Sequence, residues 1–122
     1  MSKQDLLIDH RPWGKFIQFC KNENTTVKII EVQPRHQLSV QKHEKRDEMW
    51  IALNQGLVAL IGDETVFMKD IEIGEEPVWI PKGTVHSIKN TNEALPARFL
   101  EISFGEFDEN DIERIRDNYG RV

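Results

Sequence analysis

The sequence has few residues of several kinds, and each shortage excludes a class of protein. Its 122 residues include a single cysteine, Cys20, so an internal disulfide is excluded and a reducing compartment is expected. No apolar run approaches the length of a membrane span, and the start Met-Ser-Lys-Gln-Asp has neither the apolar core nor the cleavage pattern of a secretion signal. We therefore expect a cytoplasmic protein that does not enter a membrane.

Positive charge is also in deficit. The chain carries 16 Lys and Arg against 21 Asp and Glu, which gives a net charge of −5. Such a chain is not drawn to the phosphate backbone of a nucleic acid or to an anionic membrane surface. We expect no nucleic-acid and no membrane partner, and a phosphorylated small molecule would need a local cluster of cations.

The length of the chain suits one domain. Residues 1–10 are predicted to be a flexible N-terminal arm and residues 11–122 a single domain. Short runs rich in β-branched and apolar residues, such as Thr25–Val32 and Leu57–Ile61, alternate with turn signals at near-regular spacing. This pattern predicts an all-β fold, an antiparallel jelly roll that leaves few open sheet edges.

Two further expectations concern the tail and the assembly of the chain. Ile112, Ile115 and Tyr119 recur at helical spacing after Asp108, which is a suitable N-cap, so a short C-terminal helix packed on the barrel is predicted. A small barrel with β-rich edges also predicts a homodimer that pairs or exchanges edge strands.

Two short segments carry the chemistry of a metal site. On an extended strand Gln41 and His43 point to the same face, and the polar run after His43 must bend before Glu48 turns inward. His86 arrives from another strand, after the turn Pro81-Lys82-Gly83. Two imidazole nitrogens, a carboxylate and an amide carbonyl suit one divalent ion, for which zinc is the first expectation and manganese, iron, cobalt and nickel are alternatives.

The same motifs resemble those of the cupins. The first motif is Gln-x-His followed by a polar run, Glu and then Gly56, and in it Gln41 stands where the family usually has His. The second motif is Pro-x-Gly-x-x-His-x-x-x-Asn, which ends at Asn90. Residues 11–14, 38–50 and 111–121 are similar to the type II mannose-6-phosphate isomerase domain, which often follows a mannose-1-phosphate guanylyltransferase domain. The resemblance implies a cupin-type jelly-roll barrel that converts mannose 6-phosphate to fructose 6-phosphate with a bound metal.

That reaction moves a proton between C1 and C2 through an enediol, so it needs a base, a stabilised oxyanion and cations that hold the phosphate. Glu101 is the first candidate for the base, because a carboxylate midway along an apolar strand needs either a buried partner or a function; a structural hydrogen bond explains it equally well. We predict that Arg114, like Glu101, is a catalytic residue. The candidates for binding the phosphate are Arg114 and Arg121 in the family-like tail, and Arg46 and Lys82 beside the metal motifs.

Two departures from the family keep other functions open. This chain has Met49 where the family usually has His after the ligand Glu, and Ser103 where it usually has Gln after the Glu101 position. If either missing group takes part in proton transfer, the chain is a non-catalytic cupin that binds a sugar phosphate or nucleotide sugar and regulates a partner enzyme. A cupin dioxygenase is a third hypothesis, which Gln41 in place of His disfavours.

Overall fold

The computed structural model describes residues 6–69 and 77–121, which form eleven strands in three antiparallel sheets. Strands β1 and β2 form a hairpin, the order β3-β10-β5-β8 makes a four-stranded sheet, and the order β11-β4-β9-β6-β7 makes a five-stranded sheet. The strands are β1 (Leu7–Arg11), β2 (Gly14–Gln18), β3 (Thr25–Val32), β4 (Val40–Lys42), β5 (Arg46–Ala52), β6 (Leu57–Ile61), β7 (Glu64–Phe67), β8 (Val78–Ile80), β9 (His86–Asn90), β10 (Ala97–Gly105) and β11 (Glu113–Arg116).

The two larger sheets pack face to face. Trp50 and Phe99 from the four-stranded sheet share one buried cluster with Ala59 and Ile88 from the five-stranded sheet. Alternate residues on a strand point to opposite faces, so the neighbours of Trp50 on β5 must lie on the outer side of their sheet. The predicted all-β antiparallel jelly roll is confirmed.

Strand β5 is buried on both of its faces. Trp50 and Ala52 belong to the cluster between the sheets, whereas Met49 and Ile51 belong to a second apolar cluster on the other face. The predicted bend before Glu48 is also present, because β4 lies in one sheet and β5 in the other. Residues 43–45 therefore carry the chain from sheet to sheet.

The prediction of a C-terminal helix is wrong. Glu113–Arg116 forms β11, which pairs with β4 so that Arg114 lies opposite Gln41. This pairing covers an edge that β4 would otherwise expose, which the helical spacing could not reveal. Ile115 is 46% exposed, and Asp108 caps only a single turn, its Oδ1 accepting the backbone N–H of Asn110 at 2.9 Å. None of the described segments is a helix long and apolar enough to cross a membrane.

The flexible arm predicted for residues 1–10 also needs correction. Leu7–Arg11 forms β1 and pairs with Gly14–Gln18 along its whole length, so the boundary expected after residue 10 falls inside a strand. Trp13, at the turn of this hairpin, is 74% exposed. Residues 1–5 lie outside the described part of the chain.

Candidate metal centre and active-site cavity

Three of the predicted metal ligands meet in one buried cluster. Nitrogen and oxygen atoms of His43, Glu48 and His86 all lie within 4.8 Å of one another. The Nε2 atom of His43 is 3.6 Å from Glu48 Oε2, and the Nε2 atom of His86 is 3.7 Å from Glu48 Oε1. Two ligand atoms each about 2.1 Å from a tetrahedral ion lie about 3.4 Å apart, so the spacing of these donors fits one divalent cation.

Backbone carbonyls fix both imidazole rings in the form that binds a metal. His43 Nδ1 lies 2.7 Å from the Asp111 carbonyl oxygen, and His86 Nδ1 lies 2.8 Å from that of Thr84. A carbonyl oxygen only accepts, so each Nδ1 carries the hydrogen and each Nε2 presents its lone pair to the cluster. Among the described residues, the buried His86 Nε2 has no hydrogen-bond partner.

Burial lowers the pKa of His86, and the nearby charge of Glu48 opposes this only in part. At neutral pH the His86 imidazole is therefore uncharged, which is the state that coordinates a cation. Gln41, the fourth predicted ligand, lies on β4 directly across from His86 on β9 and lines the adjoining cavity. Its role as a carbonyl ligand stays a prediction.

Asp111 ties the loop that carries His43 to the tail of the chain. Its two carboxylate oxygens accept the backbone N–H groups of Glu44 and Lys45, each at 2.9 Å. Burial alone would raise the pKa of Asp111, but these two hydrogen bonds hold it below its ordinary value. Sequence reasoning gave Asp111 no role, and the only signal for it was its position in the family-like tail.

Arg46, a predicted phosphate-binding residue, lies among the predicted metal ligands. Its Nε donates to Glu48 Oε2 at 3.0 Å, and its Nη2 donates to His43 Nε2 at 3.2 Å. The guanidinium carbon is 4.5 Å from the centre of the Phe107 ring. The sequence missed Phe107, which lies in the loop after β10 without a recognisable motif.

Glu101 lines one cavity of about 440 Å³ together with three of the predicted metal ligands, Gln41, His43 and Glu48. Burial is the main cause that raises the pKa of Glu101 to about 7, and the charge of Glu48 adds to it, while Arg46 and Lys28 partly offset both. The Ser103 hydroxyl donates a long hydrogen bond of 3.5 Å to the Glu101 carboxyl group. A carboxyl group with this pKa can accept and release a proton near neutral pH.

Two cationic side chains reach the same cavity from opposite sheets. Arg114 on β11 lines it, and the buried Nε of Arg114 has no hydrogen-bond partner in the described part of the chain. Lys28 on β3 lines it as well, with its Nζ 4.1 Å from the centre of the Phe107 ring. The sequence predicted Arg114 but missed Lys28, whose only signal was a charge within a β-branched strand.

The other two predicted phosphate ligands do not line this cavity. Lys82 is exposed, and its backbone N–H donates to Asp47 Oδ1 at 2.8 Å. Arg121 is ion-paired with Asp117 at 2.8 Å and borders a separate cavity of about 210 Å³ beside Tyr119. The geometry therefore gives no support to a phosphate-binding role for Lys82 or Arg121.

The two departures from the family pattern lie on opposite faces of one sheet. Met49 belongs to the outer apolar cluster, so its side chain points away from the cavity. Ser103 lies beside Glu101 on the inner face. Only the change at Ser103 can therefore act directly on proton transfer.

Comparison with known proteins agrees with this architecture. The family described as mannose-6-phosphate isomerase C-terminal matches residues 3–117. The chain is 33% identical over 114 residues to mannose-1-phosphate guanylyltransferase ManC of Salmonella typhimurium, and the aligned region covers 93% of this chain and 23% of that protein. It is 34% identical over 120 residues to alginate biosynthesis protein AlgA of Pseudomonas putida, and the aligned region covers 98% of this chain and 24% of that protein.

A solved structure supports the fold alone. The dTDP-6-deoxy-D-glucose-3,5-epimerase RmlC of Legionella pneumophila superposes with a TM-score of 0.66 at 12% identity, covering 90% of this chain and 69% of that one. The chain thus has the cupin-like jelly roll that its motifs predict. It spans about a quarter of the length of the curated relatives it matches.

Proposed function

The chain belongs to the mannose-6-phosphate isomerase C-terminal family, and we propose that it is a metal-dependent isomerase that converts mannose 6-phosphate to fructose 6-phosphate. Family membership supports an enzyme of the sugar-processing kind. The observation that carries the finer proposal is that one cavity joins the ligands His43 and Glu48 to a carboxyl group, Glu101, whose pKa is raised to about 7. We also propose that the protein acts in the cytoplasm as a homodimer.

The metal ligands and the base have separate tasks. An ion held by His43, Glu48 and His86, with Gln41 as a further ligand, would supply Lewis-acid stabilisation of negative charge on the sugar oxygens. Zinc suits this donor set first. The buried, neutral imidazole of His86 and the carbonyl-anchored ring of His43 need little rearrangement to bind it.

Glu101 moves the proton. Its carboxylate takes the proton from C2 of the open-chain aldose, the C2–H electron pair forms the C1=C2 double bond, and the carbonyl oxygen at C1 gains a proton to give the enediol. The same carboxyl group then returns its proton to C1, while the C2 hydroxyl loses one and becomes the ketone. A pKa of about 7 lets one group perform both halves of this exchange near neutral pH.

Arg114 is the leading candidate for holding the phosphate, because its buried Nε–H lacks a partner in the described part of the chain and borders the cavity. Guanidinium groups bind phosphate through paired, charge-assisted hydrogen bonds. Lys28 can add a second cation from the facing sheet. Holding the phosphate away from C1 and C2 would fix the sugar relative to Glu101.

The test is proton exchange at the sugar. Metal-loaded protein is incubated with mannose 6-phosphate in D₂O, and NMR follows deuterium at C2 of the aldose and the appearance of fructose 6-phosphate. Chelator-treated protein is the control. We expect exchange that depends on metal; binding of mannose 6-phosphate without any exchange would refute the isomerase.

One observation favours a second candidate, a cupin that binds a sugar phosphate or nucleotide sugar and regulates a partner enzyme. Ser103, on the cavity side, replaces the family's usual Gln and reaches Glu101 only through a hydrogen bond of 3.5 Å. If the longer amide aids proton transfer in other members, this chain keeps the binding site and loses turnover. Deuterium exchange at C2 separates the two candidates.

A further inference from the structure

Arg46 contacts two of the predicted metal ligands at once. It is only 7% exposed, and it donates to both Glu48 Oε2 and His43 Nε2. These are two of the atoms that would hold the ion. The guanidinium group thus supplies the positive charge that the buried Glu48 carboxylate requires when no metal is bound.

The contact to His43 is the decisive one. The Nδ1 atom of His43 carries the ring hydrogen, because it is bonded to the Asp111 carbonyl at 2.7 Å. The Nε2 atom therefore has one lone pair, which either accepts the Arg46 Nη2–H or binds an ion, but not both. Two positive charges this close would also repel each other.

Arg46 has other partners that remain once it leaves His43. Its Nη1 donates to the Asp108 carbonyl at 3.3 Å, and its guanidinium carbon lies 4.5 Å from the centre of the Phe107 ring. A guanidinium over an aromatic face keeps part of its stabilisation through the cation–π interaction. The group can therefore turn away from Nε2 without losing every contact.

We propose that Arg46 is an internal counter-cation that stabilises the metal-free site and competes with the metal ion, so that it sets the metal affinity of the protein. The inference rests on the metal site of the proposed function, but not on isomerase activity. A residue that merely orients Glu48 would have the opposite effect, because removing it would loosen a ligand and weaken metal binding.

The experiment measures zinc affinity by competition with a chromophoric chelator, for the wild type and three variants. We expect Arg46→Met to bind zinc at least tenfold more tightly, and Arg46→Lys, which keeps the charge on a side chain of shorter overall reach, to gain less. Arg98→Met is the matched control, because Arg98 is exposed and paired with Glu31 on the surface. The zinc affinity of this variant should equal that of the wild type. Equal or weaker zinc binding by Arg46→Met would overturn the inference and leave the metal site intact, whereas no binding by any variant or the wild type would overturn both.

Removal of the guanidinium group leaves the Glu48 carboxylate without its cation, so Arg46→Met can lose its fold before zinc is added. The wild type then provides the readout, through the side-chain Nε–H resonance of Arg46 in ¹⁵N-edited NMR. One equivalent of zinc should shift this resonance as the contact to His43 breaks. An Arg46 resonance that stays in place while zinc binds would overturn the inference.

Discussion

Glu101 on β10 lies directly opposite Lys28 on β3, yet the pKa of Glu101 is raised to about 7. The cation does not dominate, because burial and the charge of Glu48 favour the protonated form more strongly than Lys28 and Arg46 oppose it. Glu101 is therefore close to half ionised at neutral pH. A solvated carboxylate in the same sheet would be almost fully ionised at that pH.

The first prediction is kinetic. Glu101→Gln keeps the size and much of the hydrogen bonding of the side chain but removes the base, so kcat should fall by about 10²–10⁴-fold with little change in KM. The wild-type rate should fall as pH drops below about 7, where Glu101 becomes protonated. Glu109→Gln is the matched control, since Glu109 is an exposed carboxylate bordering the same cavity. A Glu101→Gln enzyme with wild-type kcat would show that another group carries the proton.

The second prediction concerns stability of the metal-free protein. The pKa of Glu101 is raised from 4.5 to about 7 on folding, so within this window the native state holds a proton that the unfolded state has released. The free energy of unfolding must then decrease as pH rises through the window, and the loss is complete above it. Glu101→Gln removes this loss, so its Tm should exceed that of the wild type at about pH 8 and converge with it at about pH 4. Calorimetry with a chelator present checks this, and an equal gap in Tm at both pH values would contradict it.

How much of this site the sequence could predict depends on the range of the interactions. The side chains of His43 and Glu48 point into the same site because of strand alternation and one bend, both of which are local features of the sequence. The structure brings these two residues together with His86. The strand β11 could not be found this way, because pairing with β4 is a long-range event that overrides a weak helical period. For the same reason the position of Arg46 on His43 Nε2 depends on the packing of a completed barrel, not on a motif.

The third prediction concerns metal content. His43→Ala or His86→Ala should abolish stoichiometric metal binding, because each removes a nitrogen ligand from a set of three closely spaced donors. Gln41→Ala should weaken binding less, since an amide carbonyl is a poorer donor. Elemental analysis of the purified proteins measures this, with His36→Ala as control, because His36 borders the other cavity. One equivalent of metal retained by the double variant of His43 and His86 would refute the site.

The fourth prediction concerns the homodimer. Strand β3 lies at the end of the four-stranded sheet, and Val27 and Ile29 on it are 55% and 64% exposed. An edge strand of eight residues with two exposed apolar side chains is a surface that can pair with a second copy. Light scattering should give twice the chain mass for the wild type and a monomer for Ile29→Lys. Phe67→Lys, at an exposed position on an edge of the other sheet, should remain dimeric; a wild-type monomer would contradict the prediction.

The fifth prediction identifies the phosphate ligand. Arg114 and Arg116 lie two positions apart on β11, but only Arg114 lines the cavity, and a register shift separates the two in the pairing with β4. Arg114→Ala should therefore weaken binding of mannose 6-phosphate by about 10- to 100-fold, because a charge-assisted hydrogen bond is worth about 1.5–3 kcal/mol. Binding of unphosphorylated mannose should change little, and Arg116→Ala should bind both sugars as the wild type does. Calorimetric titration of the three proteins with both sugars provides the measurement. If Arg114→Ala weakens both sugars equally, the loss reflects a damaged cavity and not a missing phosphate contact, and the phosphate must be held elsewhere, with Lys28 as the next residue to test.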